Sequence, residues 1–118
     1  MSEAYIELPT TFTTADTVGP VSIMFANDQL VVEFLNFNTS VQRTIFYDVR
    51  AFSWTEWDNA STDAKPDRIY QVTGSQLLSP WSEFSIGKLP FIHLKLGFNA
   101  QSKFLDVITT RMESKRLS

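Results

Sequence analysis

Several stretches of the chain alternate apolar and polar residues with a period of two. That period sends successive side chains to opposite faces of an extended strand, so it predicts β-structure. The longest such run is 41–57, Val-Gln-Arg-Thr-Ile-Phe-Tyr-Asp-Val-Arg-Ala-Phe-Ser-Trp-Thr-Glu-Trp. β-Branched and aromatic residues fill it, and these suit a pleated, half-buried surface. Val41, Ile45, Tyr47, Val49 and Ala51 share one parity and predict its buried face. The run exceeds an ordinary strand, which predicts a bend or bulge near Arg50 to Ser53.

Other strands are expected at Glu3 to Leu8, Val21 to Ala26, Gln29 to Phe37 and Arg68 to Thr73. Asn27-Asp28 predicts a tight turn, making a hairpin of the second and third. Phe91 to Phe98 alternates most cleanly: Ile92, Leu94, Leu96 and Phe98 on the buried face, with Phe91, His93, Lys95 and Gly97 opposite. Phe104 to Met112 fits either a strand or a helix, and its Val-Ile-Thr-Thr run favours the strand. Leu77, Leu78, Trp81 and Phe84 recur at three- and four-residue spacing, which predicts a short helix over 76–84 with Ser75 as its N-cap. Pro80 would kink or divide that helix.

The expected fold is therefore a single mainly β domain over 1–118. About seven antiparallel strands would form a curved sheet or partly open barrel, with one helix near 76–84. A two-sheet sandwich is the alternative. A chain of 118 residues can bury roughly two-thirds of its unfolded surface.

Composition then narrows the chemistry. With no cysteine, thiolate catalysis, disulfides and cysteine zinc sites are excluded, and a reducing, cytoplasmic setting is the expectation. The start of the chain lacks a basic segment followed by an apolar one, so no signal peptide is read. No apolar stretch approaches the roughly 20 residues that span a bilayer. Net charge is −3, and Glu56, Asp58, Asp63 and Asp67 against Lys65 hold all of it. A neutral body with one acidic segment argues against nucleic-acid binding, which needs a concentrated basic face.

No catalytic motif stands out. His93 is the lone histidine, and no Gly-x-Ser-x-Gly elbow accompanies it. It is expected to be structural or solvated, and dispensable for activity. Glu56 and Asp58 project to one side of an extended chain, as paired carboxylates do in glycosidases, but a solvated acidic loop is the plainer reading. Asp58, Ser61, Asp63 and Asp67 do not match a calcium loop. No glycine-rich phosphate cradle occurs. No metal or cofactor is expected.

The aromatic load, ten Phe, three Trp and three Tyr, is mostly core material. Trp54 and Trp57 differ in flanking Glu56 where the chain leaves the sheet, a makeup that suits recognition surfaces.

Three segments also carry a resemblance: Asp48-Val-Arg-Ala-Phe-Ser-Trp-Thr-Glu, Ile69-Tyr-Gln-Val-Thr-Gly-Ser-Gln-Leu-Leu, and His93-Leu-Lys-Leu-Gly-Phe-Asn-Ala-Gln-Ser-Lys-Phe-Leu-Asp-Val-Ile with Met112-Glu-Ser beyond it. Together they resemble small, single-domain, uncharacterised bacterial proteins, some of them suspected to be immunity-type or other interaction proteins. The resemblance covers Tyr47 to Ser114 and transfers no catalytic residue. The functional expectation is a soluble, non-enzymatic binding or inhibitory module. It would meet a protein partner through 54–67, with Trp54, Glu56, Trp57, Asp58 and Asp63 as contact candidates. The alternative is a β-barrel holding a small apolar ligand inside.

Overall fold

The computed structural model describes residues 3–8, 17–35, 40–56, 68–98 and 101–117. These residues are mainly β. The strands are β1 (Ala4–Glu7), β2 (Val18–Ala26), β3 (Gln29–Leu35), β4 (Val41–Tyr47), β5 (Ala51–Glu56), β6 (Ile69–Thr73), β7 (Ser85–Ile86), β8 (Leu89–Pro90), β9 (Ile92–Phe98), β10 (Lys103–Thr109) and β11 (Arg111–Arg116). All pair antiparallel, in a five-stranded sheet β1-β6-β9-β10-β5, a four-stranded sheet β11-β4-β3-β2 and the small hairpin β7-β8.

The expected count of about seven strands is too low, since the described residues hold eleven. One reason is a corner. The stretch 41–56 crosses from one sheet to the other, and so does 103–116, so each reads as one strand but forms two; Trp57, the last residue of the predicted run, lies outside the described residues. β5 pairs with β10 through Ala51↔Ile108, and β4 pairs with β11 through Tyr47↔Arg111. Three residues, Asp48 to Arg50, therefore oppose two, Thr109 and Thr110, which is a bulge. It lies slightly before the expected Arg50 to Ser53. Asp48 takes φ 54°, a conformation that Asp tolerates better than most residues. The Thr110 hydroxyl donates to its carboxylate at 2.6 Å. The Tyr47 carbonyl accepts from both the Thr110 N–H and the Thr109 hydroxyl.

The two large sheets face each other across one core, and among the described residues no sheet closes into a barrel. Leu30, Val32, Phe34 and Phe46 enter from the four-stranded sheet, and Ile69, Leu94, Leu96, Phe98, Leu105 and Val107 from the five-stranded one. In β4 the buried face is Gln42, Thr44 and Phe46, not the parity of Val41, Ile45 and Tyr47. Phe46 brings the larger apolar surface inside. Thr44 is cheap to bury because its hydroxyl bonds the Ser114 hydroxyl across the ladder at 3.0 Å. In β9, Leu94, Leu96 and Phe98 face the core as the alternation predicts. Phe104 to Thr109 is strand.

The helix expected over 76–84 does not form. That segment holds a three-residue 3-10 turn, Ser79–Trp81, followed by the β7-β8 hairpin. Ser75 caps the turn just before it: its Oγ accepts the Leu78 N–H at 2.9 Å, and its carbonyl accepts the Ser79 N–H at 3.1 Å, while the 3-10 turn itself has Leu78 at its N-cap and no side-chain cap. The turn does not propagate, because Pro80 has no N–H and its ring would meet the carbonyl one turn back. Trp81 and Phe84 instead stack on each other, with ring centroids 6.1 Å apart.

Candidate functional site

Two features meet on the outer side of the five-stranded sheet. Both depend on the excursion from Gly74 to Phe91, between β6 and β9. β6 ends at Thr73, Gly74 takes φ 71°, and the chain reverses over the sheet. That conformation suits glycine. The excursion packs on the first part of the β9 face that sequence alternation marks as polar, with Ser75 against His93 and Trp81 against Phe91.

The first feature is a line of buried polar groups. His93 is 4% exposed. Its Nδ1 lies 2.8 Å from Ser75 Oγ, and its Nε2 lies 2.6 Å from Asp106 Oδ1. Ser75 and Asp106 are themselves buried. In the neutral imidazole with Nε2–H donating to the Asp106 carboxylate, Nδ1 is the acceptor. The Ser75 hydroxyl then donates to Nδ1, while its oxygen accepts from the Leu78 N–H. Lys95 Nζ reaches both Asp106 oxygens at 3.3 Å and also sits 4.6 Å from the Phe104 ring. Every group in the line is thereby satisfied. A cleft of about 380 Å³ opens over Ser75, lined by Gly74, Gln76, Leu78, Ser79 and Ser82 besides Ser75 itself.

The second feature is an aromatic surface on the same excursion. Trp81 packs against Phe84 and, at 5.9 Å, against Phe91, which is itself buried. The Arg50 guanidinium lies 5.4 Å from the Phe91 ring and 6.0 Å from Trp81, within cation–π range. Beyond this support, Phe84 is 60% exposed, Leu89 43% and Ile86 40%.

The expected site residues fare differently. Trp54 is half buried, with its ring 5.5 Å from Phe98 and its side chain against the core. Glu56 is exposed and pairs with Lys103 at 3.5 Å. The structure brings neither to the excursion. Trp57, Asp58 and Asp63 lie outside the described residues. Sequence reasoning passed over Ser75 and Asp106 as chemistry. A usable signal was present, since Asp106 is the only charged residue in the apolar run 104–110. A hairpin joining β9 to β10 sets it opposite Lys95, two pairs from His93 and on the same face.

Among the described residues, no three His, Asp or Glu gather into a metal ligand set, and no helix is long and apolar enough to cross a membrane. No protein-family model, curated protein or solved structure matches the chain.

Proposed function

We propose that this domain is a small binding module for a protein partner, of the interaction or immunity type that the resemblance implies. The observation that carries the reading is the exposed trio Phe84, Ile86 and Leu89, in which Phe84 packs on Trp81, itself backed by Phe91 and Arg50, and Ile86 pairs with Leu89 across the β7-β8 hairpin. Exposed apolar residues on a supported scaffold suit recognition, because little ordering cost falls on binding. Trp and Arg are also the residue types that most often anchor interfaces. The contact surface thus moves from 54–67 to the excursion 74–91. Trp57, Asp58 and Asp63 stay in the proposal as partner contacts, the two acids steering its approach. The cysteine-free composition supports a cytoplasmic setting.

The alternative, an apolar ligand held inside, has less support, because Phe34, Phe46, Phe98 and Leu105 fill the space between the sheets. The test is affinity capture from the native host with mass spectrometry, followed by binding kinetics on the partner found. Phe84→Ala with Leu89→Ala should raise the dissociation rate at least tenfold, about 1.4 kcal/mol or more, at an unchanged melting point. Trp57→Ala should also speed dissociation. Charge reversal at Asp58 and Asp63 should slow association in a salt-sensitive way. Binding unchanged by the Phe84 and Leu89 pair would sink the excursion as the contact surface.

A further inference from the structure

We propose that Ser75, His93 and Asp106 form a site of acyl-ester hydrolysis, with Ser75 as the nucleophile and the cleft above it receiving a small acyl group. The inference is independent of the binding proposal. It reverses the expectation that His93 is dispensable.

Three observations carry it. First, the hydrogen-bond order Ser75–His93–Asp106, at 2.8 and 2.6 Å, is the nucleophile–base–orienter order that activates a serine. The two imidazole nitrogens exchange their common roles, with Nδ1 facing the serine. The ionised carboxylate still fixes the tautomer, so the free lone pair points at the hydroxyl. Second, Ser75 follows a strand and a positive-φ glycine and opens a turn. This strand–turn context presents a nucleophile without a Gly-x-Ser-x-Gly sequence. Third, Ser75 lines an open cleft, although most of the residue is buried. The N–H groups of Gln76 and Leu77 make no hydrogen bond among the described residues. They follow Ser75 directly, where an oxyanion hole draws its donors.

The chemistry balances without a metal or co-reactant other than water. Ser75 Oγ attacks the ester carbonyl carbon as its proton passes to His93 Nδ1. The imidazolium keeps its Nε2 hydrogen on Asp106. Collapse of the tetrahedral intermediate breaks the bond to the alkoxide, which leaves with the Nδ1 proton as an alcohol. Water then attacks the acyl-serine, giving its proton to Nδ1. Expulsion of Ser75 Oγ releases the carboxylic acid and returns that proton to the serine. Lys95 shares the Asp106 charge, so less negative charge is free to support the imidazolium, and turnover should be slow.

The test uses the full chain with p-nitrophenyl acetate and, separately, a fluorophosphonate probe. Hydrolysis above the buffer rate is expected. His93→Gln should lower it by about a hundredfold or more, the usual contribution of a general base. Ser75→Ala should abolish it. Ser75 also caps a turn, so either variant could fail to fold. Peptide mass spectrometry on the phosphonylated wild type therefore decides the matter: a single adduct on Ser75 supports the site. No adduct, or one on another residue, overturns it whatever the variants do. Loss of partner binding with the adduct intact would strike only the earlier proposal.

Discussion

The two large sheets share a core but differ on their outer faces. The four-stranded sheet leaves its outer face to solvent. β3 and β4 alternate buried with half-buried residues almost without exception. With β2 they form outward rows Met24, Val31 and Ile45, and Ser22, Glu33 and Arg43, with Arg43 bonding Glu33 at 2.9 Å. The five-stranded sheet is covered twice, by the core inside and by the excursion and an aromatic cluster outside. Tyr70 and Phe104 are buried there with Tyr5 against them, and Phe104 to Thr109 is buried at every position. A strand covered on both faces loses its alternation. Polar residues on such a face cannot be solvated, so they must satisfy one another. The line Ser75–His93–Asp106–Lys95 is the result.

The largest expected effect lies where both sheets meet. Leu94 is 2% exposed and faces the core. Leu94→Ala should cost about 2–5 kcal/mol in denaturant unfolding, as buried large-to-small changes do. A cost below about 1 kcal/mol would mean the facing sheet collapses readily into the gap, against the close packing described for both.

Next comes the outer face of the five-stranded sheet. Asp106→Ala leaves His93 and Lys95 without their acceptor. Breaking one side of a buried charged network costs about 3 kcal/mol or more. Asp106→Asn should recover part of that, because its amide oxygen can still accept from Nε2. Equal losses for the two variants would show that hydrogen bonding is not what holds the line together.

How much of this was legible depended on which sheet was read. In β9 the core face Leu94, Leu96 and Phe98 follows from alternation alone. In β4 the same rule chose the wrong face, because apolar residues occupy both parities and pairing of Thr44 with Ser114 cannot be seen in a period. Ser75 was recognisable as a cap, but Pro80 decided that the cap served one turn and no helix. The polar line was hidden for a different reason. His93 and Lys95 look solvated in β9, and only the fold shows Ser75 of the excursion against His93, and Asp106 and Phe104 against Lys95. The acidic segment was the most conspicuous compositional feature, yet Trp54 beside it packs, half buried, against the core.

Lysine separates the two sheets more finely. Alternation predicts that Lys95 is an ordinary exposed side chain, whose loss would cost within about 0.5 kcal/mol. Its side chain is instead 16% exposed, between Asp106 and the Phe104 ring. Lys95→Ala should therefore cost about 1–2 kcal/mol through the lost charged hydrogen bonds and the lost packing of its stem. Lys115, on the solvent face of the other sheet, is the control and should stay within about 0.5 kcal/mol. Equal costs would erase the difference between the two outer faces.

The smallest effect is expected at the ion pair of the open face. Arg43 and Glu33 have ideal hydrogen-bond distance, and both side chains are 37% exposed. They lie directly opposite on neighbouring strands, where opposite charges help by about 0.2–1 kcal/mol. Water screens such a pair, and fixing two long side chains costs entropy. Arg43→Ala should thus destabilise by less than about 1 kcal/mol, and added salt should shrink the deficit further. Asp106→Ala should respond to salt much less, because counterions do not reach a buried partner. Chemical denaturation in urea, which adds no ions, makes that contrast measurable at low and high salt. A salt-insensitive cost of about 2 kcal/mol at Arg43 would mean that the outer face of the four-stranded sheet is shielded too, and the contrast between the sheets would fail at its most exposed point.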